Sequence, residues 1–190
     1  MGLAIFAEKR ISAMMKEIYF AGGCFWGAEK FFRLIDGVLE TQVGFANGNK
    51  DHPTYREVYT DTTGFAETVR VRFDPQVVSV RELTGLFLQM IDPFSVNRQG
   101  EDEGTRYRTG VYFTDLSDAP EIAAAFSEME RAMDRPLAVE RMPLRNYFPA
   151  EEEHQRYLEK NPSGYCHLSP GIFQLAKAFR PEKKYGPNQG

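Results

Sequence analysis

Apolar and polar positions along the chain change period several times, and each change marks an element. Glu17 to Ala21 reads as a short strand, and the apolar positions from Phe25 to Ile35 predict a helix. The Asp36-Gly37 pair turns the chain into a strand near Leu39 to Phe45, so the opening has a strand, helix, strand order. Val69, Val71 and Phe73 alternate with Thr68, Arg70 and Arg72, as in a half-buried strand ended by Asp74-Pro75. Ser79 and Glu82 make a capping box, after which Val80, Leu83, Phe87 and Met90 share one helical face until Asp92-Pro93. Thr109 to Thr114 predicts another strand. Ser117 and Asp118 introduce a helix with Ile122, Phe126, Met129 and Met133 in register. Residues 137–142 read as a return strand and Glu151 to Lys160 as a short helix. Helices and antiparallel-compatible strands in this order favour an α+β two-layer sandwich, a sheet covered by helices on one face, over a doubly wound parallel sheet.

Composition narrows the class without changing that picture. The chain has 190 residues, 42 % hydrophobic, with 23 Lys+Arg against 27 Asp+Glu and a net charge of −4. No basic stripe is available to neutralise phosphates, which argues against nucleic acid and anionic membranes as partners. No apolar run approaches the ~20 residues of a bilayer span. The amino-terminal run Leu3 to Ala7 is too short for a secretion signal, and the MGLAIF start lacks the hydroxyl residue of a myristoylation site. Two cysteines make neither a disulfide framework nor a zinc site. The expectation is a reduced, cytoplasmic, monomeric protein: residues 1–15 a leader, 16–168 one catalytic domain, 169–190 a carboxy-terminal surface tail.

The strongest chemical signal is Gly22-Gly23-Cys24-Phe25-Trp26. Two glycines at a strand-to-helix turn put Cys24 at a helix amino terminus, where free N–H groups and the macrodipole favour a thiolate and would pull the thiol pKa down. Phe25 and Trp26, the single tryptophan, offer an apolar cup beside it. A buried structural cysteine is the alternative on position alone. His52, His154 and His167 keep a thiol hydrolase or acyltransferase open as a second reading.

The segment Gly23-Cys24-Phe25-Trp26-Gly27-Ala28-Glu29 resembles the A-type peptide methionine-(S)-S-oxide reductases, the MsrA family. Further stretches similar to family motifs follow in family order: Pro53-Thr54-Tyr55, Gly64-Phe65-Ala66-Glu67, residues 97–104, Tyr107-Arg108, residues 149–152, His154-Gln155 and Gly164-Tyr165-Cys166. The resemblance covers roughly residues 17–168 and implies a ferredoxin-like core with a mixed or antiparallel sheet and a long carboxy-terminal coil. It makes Cys24 the nucleophile and Glu67 the acid. It gives Tyr55 and Tyr107 the role of hydrogen-bonding the sulfoxide oxygen, and Cys166 that of the resolving thiol. Phe25, Trp26, Asp102 and Tyr165 would contact substrate. It implies no bound cofactor or metal, methionine sulfoxide in proteins or peptides as substrate, and thioredoxin, or dithiothreitol in vitro, as reductant. A sulfenic acid at Cys24 would condense with Cys166. Phe45, Asn47, Phe65 and Arg106 depart from the usual family pattern, and a non-catalytic module that binds methionine sulfoxide is a third reading.

Overall fold

The computed structural model describes residues 15–182. Strand β1 (Lys16–Gly22), helix α1 (Phe25–Arg33), β2 (Val38–Ala46), a one-turn α2 (Tyr55–Val58), β3 (Ala66–Phe73) and α3 (Val80–Met90) form the first half. A small hairpin, β4 (Arg98–Gln99) and β5 (Asp102–Glu103), precedes a 3-10 turn at Thr105–Tyr107 and β6 (Thr109–Phe113). Then come α4 (Ala119–Met133), β7 (Glu140–Pro143), β8 (Tyr147–Pro149), α5 (Tyr157–Lys160) and α6 (Pro170–Ala178).

Six strands form one sheet in the order β7-β6-β1-β3-β2-β8. All neighbours are antiparallel except β6 and β7, which are parallel. Because β3 lies between β1 and β2 and runs against both, the opening strand-helix-strand unit is split, and β6-β1-β3-β2 has the ferredoxin-like order.

Period-two alternation decides which face is dry. Ile18 and Phe20 of β1 join the main core beneath the helices, while Tyr19 and Ala21 join a small cluster with Ala46, Ala66 and Tyr112 on the other face. Phe20 is the seam between layers: its ring stacks on Phe32 of α1 at 4.6 Å and meets Phe87 of α3 at 4.9 Å. The capping box at Ser79 is present with both of its bonds, satisfying amides that the helix start leaves open. Helix α4 keeps Ile122 and Phe126 in the core but leaves Met133 exposed at its last position, before Asp134 ends it at φ 48°.

Two stretches differ from the sequence expectation. Glu151 to Lys160 is not one helix: a 3-10 turn at Glu152–His154 and α5 are separated by Arg156 at φ 53°, a left-handed residue that no continuous helix accommodates. The tail expected from residue 169 contains helix α6, whose Ala176 is buried and whose Phe173 ring lies 4.8 Å from Lys30 Nζ of α1. Pro170 at its first turn is compatible with helix initiation, a signal the composition of the following segment hid. Residues 1–14 of the leader expected over 1–15, and the segment 183–190, lie outside the described residues.

Candidate active site

One end of the sheet gathers the chemistry. The end of β1 delivers Gly23 at φ 79° and then Cys24, which caps α1; the start of β3 delivers Glu67; the 3-10 turn before β6 delivers Tyr107. Glycine is required at 23: a β-carbon there would lie 2.7 Å from the Gln99 side chain in addition to the positive φ. Tyr55 begins α2, whose amino end is fixed by the Thr54 and Glu57 capping box and by Glu151, which accepts the Tyr55 amide at 2.9 Å.

Glu67 is 1 % exposed and accepts the Phe25 amide at 3.0 Å. Burial raises its pKa to about 8, with that amide and the Arg106 guanidinium opposing and Asp102 and Asp61 adding to the rise. At neutral pH the carboxyl is therefore predominantly protonated and able to donate. Burial also pushes the phenols of Tyr55 and Tyr107 up, helped by the Glu67 charge, so both stay hydroxyl donors.

Cys24 corrects the expectation drawn from its helix position. The thiol is 6 % exposed, and burial first, then the Glu67 carboxylate, pushes its pKa well up, while a bond from the Trp26 amide only partly offsets them. The helix terminus is present, but desolvation and a facing acid outweigh it. Protonating Glu67 removes that repulsion, so an acid that is neutral at rest serves both itself and the thiol.

The two rings after Cys24 divide. Phe25 is buried in the core beside Phe45 and Tyr55, at centroid distances of 5.8 and 6.3 Å. Trp26 is half-buried, stacks on Tyr157 at 3.8 Å and donates from Nε1 to His154 Nδ1 at 3.3 Å. His154 in turn stacks on Tyr55 at 4.3 Å, and burial lowers its pKa, so it is a neutral ring in an aromatic wall. Gln155 locks this wall to the sheet by bonding both Val43 backbone groups and the Ala150 carbonyl.

On the opposite side, the β4-β5 hairpin carries Asp102, placed by Gln99, whose side chain bonds the backbone of Asp92 in both directions. Tyr165 donates to Asp102 Oδ1 at 2.9 Å, and His167 Nδ1 stands 3.9 Å from Oδ2. Between Tyr165 and His167, Cys166 packs on the first turns of α1: a β-carbon on Gly27 would lie 3.0 Å from Cys166 Sγ. Both cysteines are free thiols in this structure. No histidine hydrogen-bonds Cys24 among the described residues, where a hydrolase dyad would need one.

Cys24, Glu67, Tyr55, Tyr107, Asp102 and the adjacent pair Tyr165 and Cys166 thus come from six separate segments to one end of the sheet. The family model for peptide methionine sulfoxide reductase matches residues 16–184. The chain belongs to that family. Peptide methionine sulfoxide reductase MsrA of Lachnoclostridium phytofermentans is 49 % identical over 164 residues, spanning 86 % of this chain and 99 % of the relative. The reduced crystal structure of Mxr1 from Saccharomyces cerevisiae is similar, with TM-score 0.78 and 37 % identity over 90 % of this chain and 94 % of that one. Mxr1 has also been solved in complex with Trx2, at TM-score 0.55 and 28 % identity over 76 % of this chain and 86 % of that one. Like its family, this chain is an oxidoreductase that reduces methionine sulfoxide in a thiol-dependent reaction. No helix among the described residues is long and apolar enough to cross a membrane, and no group of three metal-ligating side chains occurs among them.

Two participants in the site's framework, Asp61 and Tyr59, had no sequence signal of their own. Asp61 pairs with the buried Arg106, and Tyr59 covers that guanidinium, yet both sit in an ordinary polar loop of the sequence. Phe65, a departure from the family pattern, turns its ring onto Phe148 at 5.9 Å and Gly48.

Proposed function

We propose that this chain reduces the S epimer of methionine sulfoxide in proteins and peptides, using Cys24 as nucleophile and Glu67 as proton donor. The observation that carries the reading is the Glu67 carboxyl, buried, hydrogen-bonded to the amide next to Cys24, and with its pKa raised to about 8. Sulfoxide oxygen becomes transferable only once it is protonated, and a neutral buried acid supplies that proton at physiological pH. The hydroxyls of Tyr55 and Tyr107 hold the oxygen, and Trp26 with the Phe25 edge receives the methyl group. Asp102 and Tyr165 contact the rest of the substrate.

The Cys24 sulfur attacks the sulfoxide sulfur, the oxygen is protonated, and collapse transfers it to Cys24. Methionine is released and Cys24 becomes a sulfenic acid. The Cys166 thiol then attacks Cys24, forming the disulfide and releasing water. A thioredoxin dithiol exchanges with that disulfide, restoring both thiols and leaving thioredoxin oxidised. The packing of Cys166 against α1, one helical turn from Cys24, supports the second step. No bound cofactor is needed, and the whole cycle runs on residues 16–168 in a monomeric, cytoplasmic protein.

The test is dithiothreitol-dependent reduction of S and R methionyl sulfoxide peptides by wild type, Cys24→Ser and Cys166→Ser, in single turnover and at steady state. S-selective reduction, lost in the first variant and surviving one turnover in the second, is the expected result. Two free thiols by mass spectrometry after one turnover without reductant would rule out the Cys24 to Cys166 disulfide.

A further inference from the structure

Arg106 is an arginine that the reaction as written does not use, and it is 8 % exposed. Its guanidinium lies between two rings, 4.1 Å from the Tyr59 centroid and 4.4 Å from that of Tyr107. Nη1 pairs with Asp61 Oδ2, and the Arg106 amide donates to Asp61 Oδ1 at 3.0 Å, so one carboxylate grips the residue by side chain and backbone. Asp61 is held at φ 58° just after α2, and Thr105 also donates to it at 3.1 Å. The Tyr59 ring meets Tyr55 at 5.9 Å. A continuous ring, ring, guanidinium, ring stack therefore runs from Tyr55 through Tyr59 and Arg106 to Tyr107, and the Asp61 pair bolts it together.

Burying an arginine costs desolvation that one ion pair with a half-open carboxylate recovers only in part, so a site that retains it uses its charge or its shape. Here both point at the reacting centre. The stack fixes the separation of the α2 tyrosine from the one on the 3-10 turn. The cation also acts on Glu67, which is faced by Arg106, Asp61, Asp102, Cys24, Tyr55 and Tyr107. Arg106 is the single cation in that set, with Asp61 as its counter-charge.

We propose that Arg106 is a positioning residue of the reduction step: it holds Tyr55 and Tyr107 at one spacing and sets the charge that faces the Glu67 carboxyl. The inference rests on the assignment of Glu67 as the acid. It makes a prediction about sign that a purely structural arginine does not. Arg106→Gln removes the cation and leaves Asp61 unneutralised, so Glu67 holds its proton to higher pH. Asp61→Asn removes the anion and leaves the cation, so Glu67 loses its proton at lower pH.

The test is the pH profile of single-turnover S-sulfoxide reduction by wild type, Arg106→Gln, Arg106→Lys and Asp61→Asn, beside a carbon NMR titration of the Glu67 carboxyl, assigned by its loss in Glu67→Gln. The expected result is an alkaline limb displaced upward by about one pH unit in Arg106→Gln and downward in Asp61→Asn, with Arg106→Lys near wild type in limb but slower at every pH. Limbs that stay in place, or that move the same way in both variants, overturn the proposal. Should Arg106→Gln fail to fold, the direction of the Asp61→Asn shift still decides. A wild type without reductase activity would sink the assignment of the acid instead, while the NMR titration would continue to report on Arg106.

Discussion

The Phe25 amide donates to the Glu67 carboxyl at 3.0 Å across 42 residues of chain. Phe25 directly follows Cys24, so this one bond ties the start of α1 to the start of β3. An amide at a helix start has no partner within its helix, and a buried carboxyl needs one. The same contact satisfies both requirements and sets the acid beside the thiol.

Glu67 predicts a pH dependence of stability opposite to that of a salt-bridged carboxylate. Its pKa is about 8 in the folded protein against 4.5 for the free side chain, so the native state binds the extra proton between those values. The contribution of this group is whole below about pH 4.5 and falls as pH rises toward 8, by an amount on the order of 5 kcal/mol. Glu67→Gln keeps an acceptor for Phe25 and removes this fall. Urea denaturation at several pH values would show a flatter profile in the variant and a gain over wild type at the alkaline end; parallel profiles would contradict the assigned burial. Reduction by the variant should drop by roughly two orders of magnitude or more, since its amide cannot act as an acid.

Trp26 and His154 give a second prediction. The Trp26 Nε1–H is donated to the Nδ1 lone pair of His154, which exists only on the ring nitrogen that carries no proton, and burial already lowers the His154 pKa. Replacing Trp26 with Phe removes a bond that favours the neutral ring. Proton NMR titration should find the His154 pKa raised by roughly 0.5 to 1 unit, the equivalent of one hydrogen bond. A value unchanged from wild type would show that stacking, rather than the hydrogen bond, holds the imidazole neutral.

Helix α3 offers a test of stability away from the chemistry. The Ser79 hydroxyl accepts the Glu82 amide at 3.1 Å, while Glu82 Oε2 accepts the Ser79 amide at 2.7 Å. Ser79→Ala should cost about 1 kcal/mol and leave turnover unchanged, measured by thermal melting and by steady-state assay. Loss of activity at a temperature where the variant is folded would mean that α3 reaches the site in some other way.

What the sequence disclosed, and what it hid, follows the range of the forces involved. Periodicity and caps are local, so β1, α1, β3, α3 and the capping box at Ser79 were legible, as was the glycine turn before Cys24. The split pairing of β1 with β3 was not, because alternation marks a strand without naming its neighbour. Taken one at a time, Glu67 reads as a surface strand carboxylate, Asp102 as part of a solvated turn or weak cation site, and Tyr55 and Tyr107 as packed rings with a wet hydroxyl; only the order of motifs that resemble the family singles them out. The pKa of Cys24 went the other way from its local signal: the helix start was readable, but the burial and the facing carboxyl come from β3, 43 residues on. The Asp61 and Arg106 pair left no trace, since a charge pair 45 residues apart has neither period nor spacing.

Gly27 separates the two halves of the proposed catalytic cycle. It lies in the first turns of α1, where alanine would favour the helix by about 1 kcal/mol. Its missing side chain, however, is the space that Cys166 and Leu168 occupy: an added β-carbon would stand 3.0 Å from Cys166 Sγ and 3.3 Å from Leu168. Sulfur and carbon need more room than that, and the segment carrying Cys166 is the partner able to retreat, because it is coil rather than helix and the hydrogen bond of the Cys166 thiol is a long one to the Leu168 carbonyl at 3.7 Å. Gly27→Ala should therefore leave Cys24, Glu67 and the first oxygen transfer intact while displacing Cys166, the proposed resolving thiol. A stopped assay without reductant would show one equivalent of methionine formed at a near wild-type rate. Cys24 would persist as a sulfenic acid trapped by dimedone, and disulfide formation would be slower by roughly tenfold. Equal loss in both phases would instead mean that α1 itself had moved, and a disulfide formed at the wild-type rate would mean that the contact at Gly27 does not hold Cys166 for its reaction.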